Sequence, residues 1–203
     1  MTMGFALVLA ASLAQVKVTV DTDQVPELRE WADKARALCE EWYPKMSEYL
    51  ATKGFTPPRE VAITFVKDKK GVADTTGNRI SVAADWVKAH PEDTGMIVHE
   101  LVHVVQGYPG KVPGWVTDGV ADYIRYFQYE KKSISAKGRR GNSYKDSYRT
   151  TASFFAWIAG KHDPEIVKKL NEAARARKYK DELFKDWTGK DLDTLWKDYL
   201  EAD

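Results

Sequence analysis

The stretch Met96-Ile97-Val98-His99-Glu100-Leu101-Val102-His103-Val104-Val105 is apolar except for two histidines and one glutamate. Wound as an α-helix it carries apolar side chains on nearly every side, so it has to be buried. Burying two imidazoles and a carboxylate is costly unless they find partners. His99 and His103 lie four residues apart, on one helical face, where both rings can reach a single metal ion. Glu100, beside His99, can point at a water on that ion. Zinc lowers the pKa of such a water to about 7, and a carboxylate can take its proton as the water attacks a carbonyl. A shuffled chain of this composition would show the HExxH pattern only about 0.005 times. The competing reading is a core helix whose His and Glu are satisfied by hydrogen bonds alone.

Composition narrows the choice of ligands. The chain has 203 residues, enough for one domain with a real core, and 43% of them are apolar. It contains one cysteine, Cys39, and four histidines. A disulfide within the chain is impossible, and a Cys-based zinc finger or iron–sulfur site is disfavoured. A metal site must therefore be built from His and carboxylates. Lys and Arg number 31 against 30 Asp and Glu, a net charge of +1, which gives no global reason to expect nucleic acid as a partner.

The first fourteen residues, MTMGFALVLAASLA, are apolar, with no charged side chain and with Ser12 and Ala14 just before Gln15. They read as a secretory signal peptide over 1–14, cleaved after Ala14, although its start lacks Lys or Arg. The run is too short to span a bilayer comfortably. A short membrane anchor or a mis-chosen start are the alternatives. The expectation is a secreted or periplasmic domain over 15–203, with no stable membrane association after cleavage.

Periodicity then assigns elements. VKVTV (16–20) alternates and suits a first strand. Pro26 opens a helix to about Thr52, with Leu28, Trp31, Ala35, Leu38, Trp42 and Met46 at helical spacing, stopped by Gly54. REVAITFV alternates as a second strand and Ile80-Ser81-Val82 as a third, with turns at Gly71 and Gly77-Asn78. The apolar helix runs from about Asp93, with Asp93 or Thr94 as cap, to Gln106, and Gly107 ends it. Pro113 starts a helix to about Glu130. Residues 131–145 read as a polar, basic loop, followed by helices near 146–160, 164–176, 179–187 and 191–202. Strands in the first half and helices in the second predict an α+β fold, with a small sheet preceding the HExxH helix.

A catalytic zinc commonly has three protein ligands and one open position. The helix after Pro113 offers Asp118 and Asp122, four apart on one face, opposite Val116, Val120, Ile124 and Phe127. One carboxylate can bind the metal. The other can accept the second ring N–H of a ligand His and fix its tautomer. We assign Asp118 as ligand and Asp122 as the supporting carboxylate. For Asp122 the alternative is a solvated or Arg-paired side chain.

HELVHVVQGYP followed by PGWVTDGVADYIR resembles the basic secretory protein family of plants and its bacterial relatives, zinc metallopeptidases. GVADTTGNRISVAADWV, SYRTTASFFAWI and the tail from Asp163 to Leu200 resemble further blocks of that family, so the similarity covers about Val16 to Leu200. The resemblance implies a gluzincin-like, zincin-type fold, a twisted sheet ahead of the active-site helix, and a third ligand from the following helix. The family's usual pattern there is Glu-Gly-x-Ala-Asp-Tyr. This chain has Asp118-Gly119-Val120-Ala121-Asp122-Tyr123, so the ligand position carries a side chain one methylene shorter. Either the second helix sits closer or the metal contact is longer, and Asp122 remains an alternative ligand. Zinc peptidases often direct a Tyr, His or Arg at the developing oxyanion. Tyr148, in the SYRTTASFF block, is the first candidate, with Tyr123 and Tyr126 as alternatives and packing as the competing role for each.

Lys131 to Arg149 holds seven basic residues and one acid, Asp146. It reads either as a solvated loop or as a segment recognising an anionic substrate. Trp115, just before Asp118, suits the cleft or the core. His90 and His162 receive no role, and nothing near Cys39 suggests a Cys–His nucleophile. The expectation is therefore a zinc metallopeptidase acting on a peptide or protein, with zinc on His99, His103 and Asp118, Glu100 as general base and Tyr148 as oxyanion donor. A zinc hydrolase of a non-protein substrate such as a cell-wall amide, or a non-catalytic zinc-containing binding protein, are the alternatives.

Overall fold

A computed structural model describes residues 16–132, 134 and 143–202. The expected signal peptide, and much of the basic stretch (133 and 135–142), lie outside the described residues. Four strands form one sheet: β1 (Lys17–Asp21), β2 (Glu60–Val66), β3 (Ala73–Thr76) and β4 (Arg79–Ala83), in the order β1-β2-β4-β3. β1 and β2 run parallel, as do β2 and β4, while β3 lies antiparallel to β4 at the edge. Alternation in β2 sends Val61, Ile63 and Phe65 into the core. A parallel β1–β2 pair needs a long crossover, and α1 (Arg29–Tyr49) supplies it after a single 3-10 turn at Pro26–Leu28. The buried stripe of α1 runs through Trp31, Ala32, Ala35, Cys39, Tyr43 and Met46. It is rotated from the expected one, so that Leu38 and Trp42 only flank the core.

The strand that periodicity does not reveal is β3. Ala73-Asp74-Thr75-Thr76 has no apolar alternation, because an edge strand with one face half-buried and the other exposed needs none. The hairpin to β4 turns at Gly77-Asn78, where Gly77 takes φ 61°. A short helix, α2 (Ala84–Ala89), follows β4 directly.

The HExxH helix is α3 (Gly95–Gln106). Met96, Ile97, Val98, Leu101, Val102, Val104 and Val105 are all buried. Each such side chain contributes about 1.5–3 kcal/mol when removed from water, enough together to hold several costly polar groups in the same helix. Asp93 and Thr94 do not cap it with their side chains. Asp93 instead accepts from Trp86 Nε1 (3.1 Å) and Arg125 Nη2 (2.5 Å), and Thr94 bonds the Tyr129 hydroxyl (2.7 Å). Gly107 ends the helix at φ 47°, as expected of a left-handed C-cap.

α4 (Gly114–Tyr123) begins after Pro113 and runs directly into a π-helical segment, Ile124–Tyr129, rather than into a single regular helix to Glu130. Such widened turns are rare and concentrate near functional sites. α4 packs against α5 (Tyr148–Lys161) at Gly119, where a Cβ would stand 2.3 Å from Thr151 Cγ2. The remaining helices are α6 (Ile166–Arg175), α7 (Leu183–Thr188) and α8 (Leu192–Glu201). Trp115 packs on Tyr144, Phe155 and Phe184, so its place is the aromatic core between α4, α5 and α7. The architecture is α+β, with one small mixed sheet in the N-terminal half and a helical remainder.

Candidate metal centre

α3 and α4 bring His99, His103 and Asp118 together, with one donor atom from each lying within 4.8 Å of the others. The two Nε2 atoms are 3.2 Å apart. Asp118 Oδ1 lies 3.3 Å from His103 Nε2 and 3.6 Å from His99 Nε2. Three donors bound tetrahedrally at zinc's usual 2.0–2.1 Å would be separated by about 3.3 Å. The triangle therefore has the size of one face of a zinc tetrahedron, and these residues fit the ion.

The other ring nitrogens are also fixed. His99 Nδ1 meets Asp122 Oδ1 at 2.7 Å. His103 Nδ1 meets Gln106 Oε1 at 2.8 Å, and Gln106 Nε2 donates to the Thr117 carbonyl at 2.9 Å. The Thr117 carbonyl can only accept, so the Gln106 amide oxygen must be the end facing His103. His103 must then carry its proton on Nδ1, which leaves Nε2 free to bind a metal. Asp122, an acceptor, does the same for His99. The buried Gln106 also ties α3 to the backbone of the residue preceding Asp118. Arg175, reaching in from α6, donates to the carbonyls of Val105 (2.6 Å) and Gln106 (3.0 Å) and so caps the end of α3.

Charge is concentrated here. Burial alone would lower the His99 pKa, but hydrogen bonds to Asp118 and Asp122 outweigh it and raise it to about 9. Burial pushes Asp118 up, but the His103 and His99 rings beside it outweigh that and hold it down at about 2. The two carboxylates thus favour positive charge at the imidazole pair.

Glu100 is buried, and the Thr75 hydroxyl donates to its Oε2 at 2.7 Å. This hydroxyl comes from the edge strand β3, so the strand missing from the sequence reading holds the carboxylate of the motif. A cleft of about 450 Å3 opens over these groups, bounded by Ala73–Thr75 on one side and Thr117, Asp118 and Tyr148 on the other. Tyr148 is 51% exposed, and its ring centroid is 6.3 Å from that of His99. The charge of Asp118, then burial, raises its pKa, so the phenol remains a donor at neutral pH. Tyr123 stacks on Phe127 in the core, away from this cleft. Tyr126 faces a second, adjoining cavity.

Of the groups expected at the site, the structure gathers His99, Glu100, His103, Asp118 and Tyr148 around one cleft, with Asp122 behind His99. Thr75 and Gln106 join them, two residues that no pattern in the sequence marks as part of a site. Gln106 offered one faint signal, a polar residue in the last turn of an otherwise apolar helix.

Fold and site together define a chain built around a helix-borne donor set of two histidines and one carboxylate, with a further buried carboxylate beside it. A family model described as a peptidase of plants and bacteria matches residues 17–199, and the chain belongs to this family, the basic secretory protein (BSP) family. No protein of curated function and no solved structure shows a significant match to it. The chain is thus a member of a peptidase family.

Proposed function

We propose that the chain is an exported, zinc-dependent peptidase, processed after residue 14 and active as one domain over 15–203 in the periplasm or outside the cell. The observation that carries this reading is the donor triangle, with its 3.2, 3.3 and 3.6 Å edges. His99, His103 and Asp118 hold the ion, and Asp122 and Gln106 orient the two rings. Bound there, zinc supplies Lewis acidity, which acidifies water and polarises a carbonyl.

The remaining chemistry belongs to the chain. Glu100, fixed by Thr75 and facing the cleft, accepts the proton of the attacking water and returns it to the leaving amine. The Tyr148 phenol donates to the oxygen on which charge develops. The outer edge of β3 borders the cleft, and an open strand edge can take up an extended peptide through main-chain hydrogen bonds. That edge favours a peptide over a compact non-protein amide as substrate. Three protein donors among the described residues, set facing a cleft, favour a catalytic over a structural ion.

The test is Glu100→Gln in the purified protein. The variant should keep about one zinc per chain by elemental analysis and lose about 10²–10⁴-fold in peptide hydrolysis. Cleavage at the parent's rate would overturn the mechanism, and a parent without zinc would overturn the metal assignment. A panel including cell-wall amides separates the substrate classes.

A further inference from the structure

A second cavity, of about 590 Å3, adjoins the first and shares Ala73, His99, Glu100 and Tyr148 with it. Its far end is lined by Trp86, Met96, Arg125, Tyr126 and Arg149. Two guanidinium groups therefore reach a space that opens directly onto the candidate metal centre.

They differ in one respect. Arg125 is neutralised twice, by Asp93 at 2.5 Å and Glu130 at 2.8 Å. Arg149 has no carboxylate within 4 Å among the described residues. Its Nε donates to the Tyr126 hydroxyl at 2.7 Å, and its guanidinium lies over the Tyr126 ring, 4.8 Å from the centroid. The head group is thus held in place while its two terminal nitrogens stay free to donate. An exposed arginine usually loses rotamer freedom when it binds, and one already pinned loses less. Arg149 also sits in the first turn of α5, where the helix dipole favours an anion. Three acids line the cavity and none pairs with Arg149: Asp93 pairs with Arg125, Asp122 with His99, and Glu100, at the end toward the metal centre, accepts from Thr75.

We propose that this cavity is a substrate subsite whose ligand is a carboxylate, bound by the forked donors of Arg149, with Trp86 and Met96 packing on the aliphatic part. The proposal rests on the peptidase reading and names its preference: a peptide presenting an acidic side chain, or its own C-terminal carboxylate, next to the scissile bond. Planar two-point pairing is what a guanidinium offers a carboxylate and a lysine does not. A cationic substrate side chain would be repelled.

The experiment uses the zinc-loaded protein and matched, otherwise uncharged peptides carrying Glu, Gln or Lys beside the scissile bond, each with a free or an amidated C-terminus. The parent should favour one carboxylate-bearing series over its neutral partner by about tenfold or more in kcat/KM. Dependence on Glu identifies the side chain as the source, and dependence on the free terminus identifies the chain end. In Arg149→Gln the ratio should fall to about one, and in Arg149→Glu it should invert toward the Lys peptide. Tyr126→Phe, which removes the anchoring hydroxyl, should reduce the ratio in part.

Binding of the same peptides to Glu100→Gln, read by calorimetry, separates the two claims. Arg149-dependent discrimination in binding without cleavage by the parent upholds the subsite and sinks the peptidase reading. Cleavage with the same ratio in the parent and Arg149→Gln sinks the subsite and leaves the peptidase reading standing. Absence of any carboxylate preference in both binding and cleavage also overturns the subsite.

Discussion

Gly119→Ala is the perturbation that most directly couples packing to the candidate metal centre. An alanine Cβ at this position would lie 2.3 Å from Thr151 Cγ2 and 3.0 Å from both Thr151 Cβ and Phe155 Cε2. Carbon atoms rest about 3.5–4.0 Å apart, so either α4 and α5 separate by about 1 Å or Thr151 rotates. Rotation breaks the buried bond from Thr151 Oγ1 to the Tyr144 carbonyl, 2.6 Å long. Such a bond is worth about 0.5–1.5 kcal/mol net, and leaving the carbonyl unpaired costs more. Separation is overpacking, which costs about 1–3 kcal/mol. Against either stands a gain of about 1 kcal/mol for replacing glycine by alanine inside a helix. The clash outweighs the gain by up to about 2 kcal/mol, a loss of up to about 8 °C in Tm for a chain of this size. Because Asp118 is the adjacent residue, any displacement of α4 also opens the donor triangle, and zinc affinity should fall about tenfold. Thr151→Ser keeps the hydroxyl and removes the nearest carbon. The double variant should therefore be more stable than the two single effects summed, and should recover part of the zinc affinity. Calorimetry on metal-free protein and zinc titration against a chromogenic chelator give the two readouts. A Gly119→Ala variant that melts at or above the parent, or strict additivity in the cycle, would refute the reasoning.

Two further outcomes follow from other parts of the structure. Asp122→Asn removes the charge facing His99 Nδ1 while preserving shape, so zinc affinity should fall about 10–100-fold by chelator competition, and the metal-free protein should melt lower by calorimetry, because the buried His99 ring loses a carboxylate that favours its charged form. Burial in α1 pushes the Cys39 thiol up to about 12, so at pH 8 it is neutral and sealed. Iodoacetamide should label it only as fast as the chain unfolds, and labelling of the native protein within minutes would contradict that placement.

How much of this was legible in the sequence depended on whether a residue's role is local. His99, Glu100 and His103 are read from spacing on one helix, and Asp118 and Asp122 from spacing on the next, because helical periodicity alone puts each set on one face. Thr75 has no such signature. Its hydroxyl reaches Glu100 only because an antiparallel edge strand lies along α3, and ADTT carries no periodic mark of being a strand. Gln106 looks like a helix end until α4 brings the Thr117 carbonyl within 2.9 Å of it. The buried stripe of α1 takes Cys39 and Tyr43 rather than Leu38 and Trp42 because all four are able to be buried, and the sheet and α3 choose among them. The widened turn after Tyr123 had no local signal, since nothing in IRYFQY breaks a regular helix. Arg149 was one cation among seven in its stretch. Only the fold distinguishes it, by setting it over Tyr126 at the adjoining cavity.

The aspartate at position 118 shows the same dependence on partners. Its family resemblance implies a glutamate there, so a side chain one methylene shorter should leave the ligand oxygen about 1.5 Å short of a conserved metal position. Yet its oxygen stands 3.3 and 3.6 Å from the two Nε2 atoms, already at tetrahedral separation. Two contacts hold α4 where it stands: Gln106 Nε2 donates to the Thr117 carbonyl at 2.9 Å, and the absence of a side chain at Gly119 lets α5 pack close behind it. With α4 held in, a glutamate would have to fold back or drive its carboxylate into the histidine pair. Asp118→Glu should therefore bind zinc about tenfold more weakly than the parent and Asp118→Ala more weakly still, by chelator competition. If Asp118→Glu binds as tightly as the parent or tighter, the helix is not held in, and the donor triangle does not depend on the shorter side chain.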